Sequence, residues 1–171
     1  QIQEVGSYKE GQPDGFWTWY YDNGQKQIEE QFYKGQPNGP YKEYDGKGNI
    51  IVSGTYFDGM KNGKWTEEIG DMRTQGEYRN DKQVGEWISY YDNDKMAFRG
   101  TFNAGYPDGE HLFYYENGSL REIQNYKAGV KHGDWKKYLD TGELYFTITY
   151  DQGKEVKYDG EALDENDVIK E

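Results

Sequence analysis

At 171 residues the chain is long enough for one ordinary domain, but a net charge of −12, a hydrophobic fraction of 33% and a mean hydropathy of −1.21 leave little material for an aliphatic core. The acidity, with a pI near 4.7, argues against binding to nucleic-acid phosphates or to an anionic leaflet, since both need clustered Lys and Arg. The absence of cysteine excludes disulfides, thiolate chemistry and Cys-ligated zinc.

Aromatic residues offset the poor composition. They make up 18% of the chain at regular spacing, and Tyr buries large area while keeping its hydroxyl wet. An ordered but thin structure is expected. No apolar run approaches the roughly 18 residues needed to cross a bilayer as a helix. The chain starts at Gln1 rather than Met, so a removed leader and an exported or envelope location are expected, with the cytoplasm as the alternative.

Residues 1–7 form a patternless lead-in. From Tyr8 to Gly153 one unit recurs: GFWTWYYDNG from Gly15, then variants opening at Gly39, Gly63, Gly85, Gly109 and Gly133, 24 residues apart except for 22 between Gly63 and Gly85. A fixed period of this size marks a repeat array in which each unit buries its faces against its neighbours. The stretches between units, such as YKEGQPDG and FDGMKNG, are rich in Gly, Pro, Asn and Asp and read as loops between hairpins.

Within a unit, strand-forming residues flank Asn23-Gly24, the strongest short hairpin signal. A two-residue turn there places Trp17 opposite Glu30, Tyr41 opposite Gly54, Trp65 opposite Gly76 and Trp87 opposite Gly100. A ring then covers the bare backbone of a cross-strand glycine. A three-residue bulged turn would shift that register by one. The third hairpin is shorter by two residues, read as one from each strand around Gly70-Asp71. Every second strand ends on a ring, at Phe32, Tyr56, Tyr78, Phe102, Tyr126 and Tyr150. Past Gly153 no aromatic run follows, so the array is expected to end there. Residues 154–171 are an acidic cap or tail, with Ala162 to Lys170 readable as a short helix.

The pattern G-x-W-x-x-Y-Y-x-x-G, followed by an aromatic and G-x-x-x-G, resembles the MORN (membrane occupation and recognition nexus) repeat in a bacterial variant. Six copies in phase cover nearly the whole chain. Departures are Asp81 and Asp94 at glycine positions, Tyr41 and His111 at the Trp position, and the shortened third hairpin. The resemblance implies an all-β fold, an elongated single-sheet antiparallel meander of about six β-hairpin repeats without catalytic activity. It also implies a protein-interaction scaffold, phospholipid head-group binding for some members, and an antitoxin-like label for several bacterial ones.

Two columns are candidate interaction surfaces. Trp17, Tyr41, Trp65, Trp87, His111 and Trp135 either bind a sugar, a choline-like cation or a peptide, or simply form the core. Tyr20, Tyr44, Tyr90, Tyr114 and Tyr138 point to the opposite face and suit a wet aromatic surface. Asp22, Asp45, Asp92, Glu116 and Asp140 at the turns are explained by turn chemistry, because equivalent residues on successive hairpins lie about 10 Å apart and cannot share an ion. His111 and His132 make no zinc motif. No catalytic residue, cofactor or metal is expected. The partner is expected to be a protein, with the acidity favouring a basic one. Cell-surface glycan or choline recognition is one alternative. Lipid head-group binding through Lys61 and Lys64 or Lys136 and Lys137 is another. A monomer and an edge-paired dimer are both compatible with the open strand edges.

Overall fold

The computed structural model describes residues 3–163, the side chain of Ile69 excepted, and the chain divides into two compact units between Gln83 and Val84. The first holds β1 (Glu4–Lys9), β2 (Gln12–Tyr20), β3 (Lys26–Tyr33), β4 (Gln36–Tyr44), β5 (Ile50–Phe57), β6 (Met60–Ile69) and β7 (Met72–Arg79). After β8 (Lys82–Tyr91) the second continues with β9 (Met96–Asn103), β10 (Tyr106–Tyr114), β11 (Leu120–Lys127), β12 (Val130–Lys131), β13 (Gly133–Tyr138), β14 (Leu144–Asp151), β15 (Lys154–Tyr158) and β16 (Glu161–Ala162). All belong to one open antiparallel sheet in which chain neighbours are sheet neighbours, except that β12 and β13 both pair with β11. The described residues contain no helix.

The loop at the tip of the first repeat has three residues. Tyr21 N–H donates to Gln25 O at 2.8 Å and Gly24 N–H to Tyr21 O at 2.8 Å, with Gly24 at φ 83. This left-handed third position is what a three-residue hairpin loop requires. Such a loop shifts the register by one, and the strand then undoes the shift. Tyr20 pairs with Lys26 but Trp19 with Ile28, so Gln27 is a bulge and Trp17 still faces Glu30. Ile51, Ala97, Arg121 and Tyr145 are the corresponding bulges. The aromatic register therefore holds, whereas the two-residue turn at Asn23-Gly24 is replaced by a longer loop with a compensating bulge.

The third hairpin has neither device. Ile69 pairs directly with Met72 around Gly70-Asp71, and Trp65 faces Gly76 with no register shift. Both of its strands keep every rung, so the two missing residues are a loop residue and the bulge, rather than one from each strand.

The linkers are mostly strand, not loop. Only two residues turn the chain at each, for example Glu10-Gly11 (φ 53 and 78) between Lys9 and Gln12, and Lys34-Gly35 (φ 50 and 80) between Tyr33 and Gln36. Two successive positive-φ residues form the turn whose twist matches the flanking strands, so pairing resumes at once. The remaining linker residues are in the ladder, and the second glycine of each marks a wider irregularity: Gly15, Phe16 and Trp17 oppose Gly6 alone. The lead-in is likewise structured, with Glu4–Lys9 pairing β2. The sheet also continues beyond Gly153 through β15 and β16, because Gln152-Gly153 repeats the same turn. Ala162, where a helix was expected to start, is in β16; residues 164–170 of that stretch lie outside the described residues.

Candidate functional site: the aromatic face

Side chains alternate across a strand, so the register above sends the Trp column and the second-strand ring column to one face. There they interlock. In the first unit Trp65 lies 5.1 Å from Tyr56 and 5.8 Å from Tyr41, and Trp17 lies 5.7 Å from Trp19 and 6.3 Å from Phe32. In the second, His111 lies 5.0 Å from Phe102 and 5.1 Å from Tyr126, which continues to Trp135 at 5.2 Å and Tyr150 beyond it at 5.0 Å. Most contacts are edge-on or tilted, the geometry ring quadrupoles favour. Trp17, Trp65, Trp87 and His111 are buried, whereas Tyr41 and Trp135 are half-buried.

Trp17, Trp65 and His111 each meet a glycine on the preceding hairpin. A Cβ on Gly54 would lie 2.1 Å from the Trp65 indole, one on Gly6 2.1 Å from Trp17, and one on Gly100 2.7 Å from His111. The irregularity at the linker's second glycine lets the ring fold back over the neighbouring strand. There the ring nitrogen reaches the carbonyl that follows the glycine: Trp17 Nε1 donates to Ser7 O at 3.2 Å and Trp65 Nε1 to Thr55 O at 3.3 Å. Trp135 makes the same bond to Asn125 O at 2.9 Å. His111 replaces Trp in this role. Its Nε2 is 2.8 Å from Thr101 O, and since a carbonyl only accepts, the proton sits on Nε2.

Tyr20, Tyr44, Tyr90, Tyr114 and Tyr138 are all half-buried. Tyr44 Oη donates to Glu29, and burial first, then that bond, pushes its hydroxyl up to about 12. The neighbouring tyrosines, which sequence reasoning did not single out, tie one hairpin to the next. Tyr21 Oη donates to Tyr44 O at 2.7 Å, Tyr91 Oη to Tyr114 O at 2.7 Å and Tyr115 Oη to Tyr138 O at 2.8 Å. Their signal was present in the Tyr-Tyr doublets.

Acids are distributed unequally. At the loop of the second repeat Asp45 serves the turn: its Oδ1 accepts from the Lys47 and Asn49 N–H groups at 2.8 Å each, and Asn49 holds the carboxyl below its usual range, whereas at the first, fourth and fifth loops the Oδ1 of Asn23, Asn93 and Asn117 is the acceptor. On the aromatic face Glu30, Glu43 and Glu67 lie among the rings of Tyr41, Tyr56 and Tyr78. Burial pushes Glu30 up. Burial first, then the Glu43 charge, pushes the Tyr41 hydroxyl up; burial and surrounding carboxylates do the same to Tyr56 and Tyr78. The chain's own lysines use this face: Lys61 Nζ is 4.3 Å from the Trp65 ring centroid and Lys131 Nζ 4.6 Å from that of Trp135. Lys136 and Lys137 fall on opposite faces, with Lys137 over Phe146 at 6.0 Å, and so do not form one basic patch. Among the described residues no three His, Asp or Glu side chains cluster as metal ligands.

The MORN repeat variant family model matches residues 13–34, 83–104, 107–128 and 131–152, together just over half of the chain. Each match spans one hairpin as drawn above, from the strand after a two-residue turn to the start of the next such turn. The second and third repeats lie outside the matches but share the interlocked rings. No curated protein matches the chain. With its hairpins in phase and its rings interlocked within each unit, the chain belongs to the MORN repeat variant family, whose repeats build generally noncatalytic scaffolds.

Proposed function

We propose that the array is a noncatalytic scaffold that holds a basic protein partner against its aromatic face. The observation that supports this most is the chain's own use of that face. Lys61 rests on Trp65 and Tyr78 while pairing with Glu67 at 2.7 Å, and Lys131 rests on Trp135 and Tyr150. Rings backed by carboxylates attract ammonium groups, and the net charge of −12 steers a basic surface toward the sheet. In the antitoxin-like form of this reading the partner is a bacterial toxin whose working surface the array covers.

The test is capture on the immobilised array from an extract of the source organism at low and high salt, with bound proteins identified by mass spectrometry. One basic protein, retained at low salt and released as salt rises, is the expected result, and its activity alone and in complex decides the antitoxin-like form. Recovery of wall polysaccharide or lipid in place of protein would overturn the reading.

A further inference from the structure

One ammonium seat on the aromatic face is already filled, and the register says how it is built. Trp65 follows Lys61 by four residues, Glu67 follows Trp65 by two, and Tyr78 faces Gly63 across the hairpin. Lys61 Nζ lies 4.3 Å and 5.0 Å from the two ring centroids and 2.7 Å from Glu67 Oε1. The sixth repeat has the lysine and rings without the acid: Lys131 lies over Trp135 and Tyr150, and Lys137 stands where Glu67 would be.

The second repeat has the converse. Tyr41 and Glu43 occupy the positions of Trp65 and Glu67, and Tyr56 faces Gly39 as Tyr78 faces Gly63. The rings stand edge to face with centroids 5.5 Å apart, and Tyr41 Oη lies 3.2 Å from Glu43 Oε2. Glu30, the Cα partner of Tyr41 on β3, adds a second carboxylate. Among the described residues no side chain bonds to Glu30 or pairs with it. At the position of Lys61 stands Pro37, which has no charge to offer. In the first, fourth and fifth repeats the acid position holds Trp19, Ser89 and Phe113, so the second repeat combines the acid with no lysine of its own.

We propose that the Tyr41, Tyr56, Glu43 and Glu30 cluster is a seat for a lysine side chain of the basic protein partner, the counterpart of the seat that Lys61 fills from within the chain. This inference rests on the scaffold reading above and names the side chain that reading requires. Two carboxylates and a phenol oxygen supply acceptors for the three N–H donors of a primary ammonium, while the rings take its methylene stem. A quaternary ammonium has no N–H to give the carboxylates. Guanidinium is planar and calls for a fork of two oxygens on one carboxylate, which differs from the point-charge contact that Lys61 makes.

The probe is a short lysine peptide with blocked ends, titrated into the full chain at low salt while the tyrosine ring resonances are followed by NMR; the same peptide with norleucine for lysine is the control. The expected result is a saturable shift of the Tyr41 and Tyr56 rings by the lysine peptide alone. E30Q/E43Q should weaken it at least tenfold. P37K should abolish it by filling the seat from within, and its folded spectrum excludes unfolding as the cause. K61M should open a second seat at Trp65 and Tyr78. Equal shifts from the norleucine peptide, undiminished binding to P37K, or tighter binding of choline would each overturn the proposal. A peptide that binds as expected with no basic protein captured overturns the scaffold reading alone. A captured basic protein with no peptide response overturns the seat alone.

Discussion

The second and third hairpins reach the same arrangement by different routes. In the second, a three-residue loop closed by Gly48 at φ 91 is offset by the bulge at Ile51; in the third, a two-residue turn needs no bulge. Both pair the column aromatic with a glycine in the ladder, Tyr41 opposite Gly54 and Trp65 opposite Gly76. A hairpin can therefore lose two residues without moving its rings, provided the two are the loop residue and the bulge that cancel each other. The pair differs more in chemistry. Trp65 is 1% exposed and covered by Lys61, while Tyr41 is half-buried and the uncharged Pro37 stands at the position of that lysine.

The sharpest way to break this comparison is at the glycine under a ring. Gly54→Ala puts a Cβ 2.1 Å from the Trp65 indole and should cost about 3 kcal/mol in urea unfolding. Gly46→Ala, in the loop of the second hairpin with nothing within 4 Å, should stay within about 0.5 kcal/mol. Equal effects would show that the ring does not rest on Gly54. Next in size is length. One residue inserted at Gly70-Asp71 shifts the register and should cost about 2 kcal/mol or more. Two residues, placed as a loop residue and a bulge after the model of the second hairpin, should cost under about 1 kcal/mol and preserve cross-strand NOEs between Thr66 and Gln75.

Adjacent acids on opposite faces should respond oppositely to pH. Lys26, then Tyr44, hold Glu29 below the usual carboxylate range, so its stabilisation is present at neutral pH and lost as pH falls through its lowered folded value. Glu29→Gln should cost less than about 1 kcal/mol at pH 7, and the cost should fade in acid. Burial holds Glu30 above the range. The wild type is therefore favoured in acid, and that advantage is lost as pH rises from the ordinary carboxylate value through the raised one. Glu30→Gln should stabilise at pH 7 and change little below about pH 4. Thermal midpoints across pH check both signs. The smallest effect lies at the two-residue turns. Lys34 and Asn80 hold φ 50 and 49 at equivalent positions, and Asn tolerates that region better than Lys. Lys34→Asn should stabilise by about 0.5 kcal/mol and Asn80→Lys should cost the same, by urea unfolding.

The hairpin order and the placement of Trp17, Tyr41, Trp65 and Trp87 were legible because aromatic and glycine positions recur at a fixed distance. The bulge at Gln27 was hidden because it restores the register its loop disturbs, leaving the Trp–partner spacing of a simple turn. The linkers misled because Gly, Pro and Asn signal turns, but two positive-φ residues complete each turn and the rest, Pro37 included, join strands. Which glycine a ring covers was also hidden: Gly54 and Gly76 satisfy the same spacing rule for Trp65, and only the fold-back onto the preceding strand separates them. In sequence, Lys61 with Lys64 reads as a fragment of a basic patch. Its role on the rings emerged once the register brought Trp65, Glu67 and Tyr78 around it.

The most direct test of the aromatic face as the binding surface repeats the capture experiment with two variants. E30Q/E43Q removes carboxylates among the rings; E77Q removes an exposed one from the opposite face of the same unit. The scaffold reading predicts that E30Q/E43Q releases the basic partner at lower salt than the wild type while E77Q retains it unchanged. Loss on E77Q with full retention by E30Q/E43Q would place the partner on the other face and contradict the reading.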